Sequence, residues 1–267
     1  MAETSSMVAD ARLVVPSRDE RGVLTLTLNR PAAFNSLGSD MLDALQGHFE
    51  ALASDESVRV VVLGAAGKAF CAGHDLKEMR AEPSQPYYEE LFSRCARLML
   101  SIQRLPVPVI ARVQGIATAA GCQLVASCDL AVAASTAHFA VSGVNLGLFC
   151  ATPGVALSRN LGRKAAFEML VTGDFISADE AKAKGLVNRV VAAESLDAEI
   201  ELLAAAIVGK PRVAIAMGKQ LFYRQLELGI ESAYAEAGRT MACNMMDEAA
   251  LEGVQAFIDK RKPSWSR

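Results

Sequence analysis

Aromatic side chains are scarce in this sequence: they make up 6% of 267 residues and include a single tryptophan, although hydrophobic residues reach 52%. A core of large rings is thereby excluded. One built from Ala, Val and Leu, suited to close packing of short elements, is expected instead. Histidine is equally sparse. His48, His74 and His138 stand far apart, and no HExxH, GxSxG, P-loop or GxGxxG pattern occurs, so metal, serine-hydrolase and nucleoside-triphosphate chemistries lose their usual carriers and no metal site is expected. Long basic runs are missing and the net charge is -3, which argues against a nucleic-acid partner. No uninterrupted apolar run is long enough to cross a bilayer, so no membrane partner is expected.

Cysteine is present six times (Cys71, Cys95, Cys122, Cys128, Cys150, Cys243) but never as a CxxC pair, and most positions lie inside apolar runs. That usage reads as buried thiols in a reducing compartment. The first twenty residues mix Glu, Asp and Ser with few basic residues, unlike a signal or transit peptide. A cytoplasmic location is the resulting expectation.

Residues 23–29 alternate branched or Leu side chains with Thr and are followed by Arg30-Pro31, the pattern of a half-buried strand. Short apolar runs at 58–64 and 107–113 read as buried strands. Between them, 40–54 places Met41, Leu42, Leu45, Phe49 and Leu52 on one helical face, and 87–105 does the same with Leu91, Cys95, Leu98 and Ile102. Strand, helix, strand, helix, strand implies parallel pairing through crossover helices, hence an α/β class. Further helices are expected at 163–172, 197–208, 213–228, 230–244 and 249–260, with a capping box at Ser177–Glu180. The apolar faces of the last four are mixed enough to predict subunit contacts.

Two segments rich in small residues, 67–77 and 114–124, follow strands. Small side chains allow a ligand close to the backbone, and the second segment runs into a helix whose free N–H groups can face an anion. Together with Asn29-Arg30-Pro31, Asn35-Ser36-Leu37, Thr172-Gly173-Asp174, residues 181–187 and the stretch from Glu252-Gly253 to Arg261-Lys262-Pro263, these segments resemble the crotonase (enoyl-CoA hydratase/isomerase) superfamily over roughly residues 12–265. The resemblance implies a crotonase-type ββα spiral core over 12–196, preceded by a leader over 1–11. A C-terminal helical layer over 197–267 would build a homotrimer or a dimer of trimers.

The resemblance also implies an acyl-CoA substrate, with coenzyme A entering as part of that substrate and no cofactor held permanently. The thioester oxygen would meet the main-chain N–H groups of His74 and Ala120. Lys68 and Lys77 would meet phosphates, Ala72 with its neighbours Asp75 and Leu76 the adenine side, and Phe257 and Lys260 the cofactor from the C-terminal layer. Arg30 is a further phosphate candidate. A thioester carbonyl gains negative charge as its α-carbon becomes enolate-like, and fixed donors stabilise that charge more than the neutral ground state.

The chain departs from the family where hydratases carry two glutamates: the corresponding positions are Gln123 and Gly143. Neither ionises, so general acid–base hydration lacks its usual groups. Gln123, Asn145, Cys150 and the His74 side chain remain near the site by alignment. Of these, Cys150 reads as a small buried hydrophobe and the His74 ring is expected to point outward, its backbone N–H being the functional part. Gly-His-Asp-Leu and Val-Asn-Leu-Gly resemble the decarboxylases of methylmalonyl-CoA, whose chemistry needs no base, although their tyrosine falls on Cys150. An acyl-CoA decarboxylase, an acyl-CoA binding protein without turnover and an assembly component are therefore the alternatives to an enoyl-CoA hydratase/isomerase-type lyase or isomerase with altered catalytic residues.

Overall fold

The structure is a computed structural model and describes residues 12–265. The leader expected over 1–11 lies outside the described residues.

The chain opens with β1 (Val14–Arg18) and β2 (Val23–Leu28), an antiparallel hairpin in which Val14 faces Leu28 and Arg18 faces Leu24. Gly22 turns it with φ +83°, where a side chain would meet the Ser57 carbonyl at 2.4 Å. The Asp19 carboxylate closes the turn by accepting from the N–H groups of Arg21 and Val23. Helix α1 (Ser39–Leu52) buries the five apolar residues of its predicted face.

Three units then repeat one order: a strand in a first sheet, a short strand in a second, and a helix. They are β3 (Val60–Ala65), β4 (Ala69–Cys71), α2 (Leu76–Ala81) and α3 (Gln85–Arg104); β5 (Val109–Val113), β6 (Ile116–Thr118) and α4 (Ala120–Ser127); β7 (Leu130–Ala134), β8 (His138–Ala140), α5 (Ala151–Asn160) and α6 (Arg163–Thr172). β9 (Ile176–Ser177), α7 (Ala178–Lys184) and β10 (Arg189–Val191) follow, and Ser177 with Glu180 forms the expected capping box. Last come α8 (Leu196–Val208), α9 (Arg212–Gln225), α10 (Ile230–Met245) and α11 (Glu248–Ile258).

The first sheet runs β1-β2-β3-β5-β7-β10 and is parallel from β2 onward; the second runs β4-β6-β8-β9, with β9 antiparallel. This is the mixed α/β class with parallel sheets and C-terminal helices that the sequence implies. Every residue of β3 is buried, as a strand covered on both faces must be. Val61 and Leu63 join the large inner core, whereas Val60 and Val62 meet Ile200 and Ala204 of α8 on the outer face. Thus α8, assigned to the C-terminal region by sequence, lies against the sheet.

A buried ion pair ties α9 to the core. Nζ of Lys219 donates to Asp129 Oδ2 at 2.6 Å and to the carbonyls of Ile102 and Val107 at 2.9 Å, while Tyr223 donates to Asp129 Oδ1 at 2.8 Å. The side chains of Lys219 and Asp129 retain only 6% and 13% exposure. All three ammonium protons therefore have acceptors, the condition under which such a charge is tolerated in an interior.

Candidate active site

The two small-residue segments meet. β4 leads into Gly73, whose φ of +89° is open to glycine, and a methyl group there would lie 2.9 Å from Cβ of Ala119, 3.1 Å from the Thr118 carbonyl and 3.2 Å from the Ala120 nitrogen. Gly121 presses as closely on β4: a methyl group would stand 2.1 Å from the Cys71 carbonyl oxygen. The chain turns into α4 through Ala119 at φ 51°, ψ -120°, a strained conformation for a residue with Cβ. Such strain costs on the order of 1–3 kcal/mol and concentrates at functional sites. Ala119 is held there by its N–H on the Ala140 carbonyl at 3.0 Å. Among the described residues no acceptor engages the backbone N–H of His74 or of Ala120.

Beside these groups lies a cavity of about 270 Å³. It is lined by Ala72, His74, Leu76, Met79, Phe92 and Ala119–Ala120 together with Ser142–Gly143, Leu146, Leu148–Phe149 and Cys150–Pro153. Among the described residues no Asp, Glu, Lys or Arg lines it.

The His74 ring corrects the outward orientation expected from sequence. It is turned into the protein, with Nδ1 3.2 Å from the Leu37 carbonyl and the ring tilted against Phe92 at 5.4 Å, and the residue is among those that line the cavity. Because a carbonyl only accepts, Nδ1 carries the proton and Nε2 the lone pair in the neutral ring. Nε2 is buried and has no hydrogen-bond partner among the described residues. Burial lowers the imidazole pKa, against smaller opposing effects of the Leu37 hydrogen bond and the Glu78 charge.

Gln123 sits on α4, 4% exposed, with its side-chain oxygen unpaired, and is not on the cavity wall. Asn145 is exposed and its amide donates to the Gly173 carbonyl at 3.3 Å, away from the wall. The structure thus places His74 and Ala120 on one cavity, whose lining includes neither Gln123 nor Asn145. Cys150 is buried, as the sequence suggests; burial raises its thiol pKa, partly offset by the Gly143 backbone.

Of the coenzyme candidates, Ala72 and Leu76 line the cavity. Asp75 caps α2, accepting from the N–H groups of Lys77 and Glu78, and pairs with Arg30 at 3.0 Å. Burial would raise the Asp75 pKa, but those hydrogen bonds and the Arg30 charge hold it below its ordinary value. Arg30, Asp75 and Lys77 border a neighbouring recess that Asp40 and Glu78 share, so its field is mixed. Lys68 lies 5.3 Å from the Phe34 ring centre, and Lys77 is exposed and makes no ion pair among the described residues. Phe257 is 86% exposed, and α11, which carries it and leads to Lys260, packs on α10 and contributes nothing to the cavity wall.

Sequence reasoning placed Met79 in a segment that shapes the acyl pocket but missed Phe92 and the apolar loop residues Leu146, Leu148 and Phe149 as cavity residues. Phe92 sits one position beside the apolar stripe of α3, and the only signal in the loop is an apolar run with no buried period.

The Enoyl-CoA hydratase/isomerase family pattern matches residues 18–267. The chain belongs to the enoyl-CoA hydratase/isomerase family. A crystal structure of an enoyl-CoA hydratase from Mycobacterium smegmatis is 72% identical, covers 95% of this chain and 99% of that one, and superposes with a TM-score of 0.94. The human enoyl Coenzyme A hydratase domain-containing protein 3 is 43% identical, with 95% and 100% covered and a TM-score of 0.92. Its Xenopus laevis counterpart, named mitochondrial, is 46% identical over 249 residues, 93% of this chain and 85% of that protein. Read as sequence alone, residues 117–129 resemble this same member of the family, and the comparisons bear that out. They also overturn the cytoplasmic location: the frog, mouse and human relatives are named mitochondrial, and the composition of twenty N-terminal residues does not outweigh that. Among the described residues no group of three His, Cys, Asp or Glu is placed to hold a metal, and no helix is long and apolar enough to cross a membrane.

Proposed function

We propose that the protein binds an acyl-CoA thioester with its carbonyl oxygen between the N–H groups of His74 and Ala120 and stabilises enolate character at the α-carbon. The observation that carries this reading is two unengaged N–H donors beside an uncharged cavity. One such donor typically contributes about 2.7–4 kcal/mol to an oxyanion transition state. Ala72 and Leu76 border the entry of the coenzyme arm, with Lys77 and Lys68 as its cationic contacts. Arg30 is the weaker candidate, since Asp75 already neutralises it. Gln123 and Asn145 keep supporting places outside the wall.

Hydration through two glutamates is not part of the proposal. An amide stands at 123, and at 143 even a methyl group would meet the Leu148 carbonyl at 2.5 Å. The decarboxylase reading is the weaker one, because among the described residues no Lys or Arg lines the cavity to receive a second carboxylate and an unpaired buried carboxylate is costly.

Assembly through the region from residue 197 onward, as a trimer or a pair of trimers, belongs to the same proposal. Ile230, Tyr234, Met246 and Phe257 are each more than two-thirds exposed, at 71, 74, 77 and 86%, an apolar surface that one chain leaves uncovered. Phe257 and Lys260 lie in that layer.

Mass-spectrometric turnover on 2-enoyl-, malonyl- and methylmalonyl-CoA, with calorimetric binding in parallel, tests the reading. Binding of the enoyl thioester with hydration far below the ordinary enzyme range of about 1–10³ s⁻¹ is expected. Hydration within that range would contradict it.

A further inference from the structure

We propose that the junction of α8 and α9 is an oxyanion site, in which the guanidinium groups of Arg59 and Arg212 bind a phosphate group. Neither arginine lines the acyl cavity or the recess of Arg30 and Lys77. The site is therefore independent of where a thioester lies.

Arg59 reaches the junction from the sheet. It stands directly before β3, and its N–H is fixed on the Gly22 carbonyl at 2.8 Å. Its Nη2 donates to the carbonyls of Val208 at 3.1 Å and Lys210 at 2.6 Å. Val208 ends α8, and Lys210 is followed by Pro211 and by Arg212, the first residue of α9. The Arg59 guanidinium is thus held beside the turn that carries Arg212. Burial lowers the Arg59 pKa and the nearby Arg212 charge adds to that effect.

Neither arginine has a counterion among the described residues. Two carbonyls occupy Nη2 of Arg59 and leave its Nε and Nη1 without an acceptor there. Arg212 is partly buried, and its Nε is buried with no hydrogen-bond partner. The carboxylates of the adjoining turn and helix are already engaged: Asp19 and Glu201 pair with Arg21, and Asp55 pairs with Arg18. Lys210 places a further cation in the same turn. The first turn of α9 holds no acidic residue to offset them, and no side chain caps it.

Two like charges withdrawn from water repel each other more strongly than on an open surface, and a buried donor on a charged group is costly when left unmade. An anion between the two groups relieves both. Each guanidinium presents a planar fork of donors that matches the oxygens of a phosphate. Phosphate is favoured over a carboxylate because its charge approaches that of the two forks together and its oxygens are enough to engage both. The phosphate is free in solution or carried on a nucleotide, two sources of one chemistry.

The test is calorimetric titration of the full chain with inorganic phosphate and, separately, with adenosine monophosphate, at an ionic strength fixed with chloride. Urea unfolding in phosphate and in chloride accompanies it. Wild type is expected to bind phosphate and to be more stable in phosphate than in chloride at equal ionic strength. Tighter binding of the nucleotide assigns the site to a nucleotide phosphate, and tighter binding of phosphate to the free anion; either supports the site. Arg212→Gln and Arg59→Gln are each expected to weaken phosphate binding about 10–100-fold, the range for a hydrogen bond to a charged group. In chloride, Arg212→Gln should be no less stable than wild type, because it removes a repulsion, and it should lose the gain from phosphate. Lys77→Ala is expected to bind phosphate as wild type does, and Arg212→Gln to bind acyl-CoA as wild type does. No phosphate binding by wild type, undiminished binding by Arg212→Gln, or a loss confined to Lys77→Ala would each overturn the site and leave the acyl-CoA reading standing.

Discussion

Gly143 and Cys150 compete for one volume: a methyl group on Gly143 would lie 2.6 Å from Sγ of Cys150 and 2.5 Å from the carbonyl oxygen of Leu148. The loop is closed at this point by the Leu148 N–H on the Gly143 carbonyl at 3.0 Å. Gly143→Glu is therefore expected to displace the loop rather than to supply a catalytic carboxylate, and Gly143→Ala to cost about 1–3 kcal/mol by overpacking. Urea unfolding and a hydration assay on both variants check this; a stable Gly143→Glu protein that hydrates enoyl-CoA would contradict it.

Gly73→Ala strikes the other wall. The backbone is at φ +89° and the added methyl would push on Ala119 and the Ala120 nitrogen. Acyl-CoA affinity is expected to fall at least tenfold, about 1.4 kcal/mol, while CoA without an acyl group binds as before. Calorimetry with the two ligands separates these outcomes.

How much of this was legible in the sequence differs between elements. The α1 face was read correctly because five apolar residues, Met41 to Leu52, keep one period over about three turns. β4 and β6 have three residues each, too few to show any period, so they were seen only as small-residue segments. The small residues were read as room for a ligand at the backbone, and the meeting of the Gly73 and Ala120 segments followed from the family resemblance rather than from those residues. The inward turn of His74 was not legible: it depends on a carbonyl 37 positions away. Nor was the hydrogen bond that the Asn145 amide donates to the Gly173 carbonyl across a loop.

Protonation of His74 links the site to stability. Burial lowers its pKa from the ordinary 6.5, so the unfolded chain binds this proton more tightly. The stability it contributes is full above 6.5 and is lost as pH falls through the folded pKa. As pH falls below about 6.5, wild type should lose stability more steeply than His74→Gln in urea unfolding. Equal slopes would argue that the ring is solvated.

Lys219→Met leaves the Asp129 carboxylate buried without its cation. A loss of about 3–5 kcal/mol is expected from uncompensated burial, read by chemical denaturation. A loss near zero would mean that the link between α9 and the core is not supported by charge.

Lys77→Ala should weaken binding of an acyl-CoA by roughly 1.5–3 kcal/mol, the range for a hydrogen bond to a charged group. Binding of the matching acyl-pantetheine, which lacks the nucleotide phosphates, should be unchanged. Equal losses for both ligands would place Lys77 away from the phosphates.

The most direct test of the account is the infrared carbonyl band of a [1-13C]acyl-CoA bound to the protein. Polarisation by the N–H groups of His74 and Ala120 predicts a band below that of the free thioester in water, and a smaller displacement in Gly73→Ala. A bound thioester whose band matches the free ligand would contradict the assignment of those two donors.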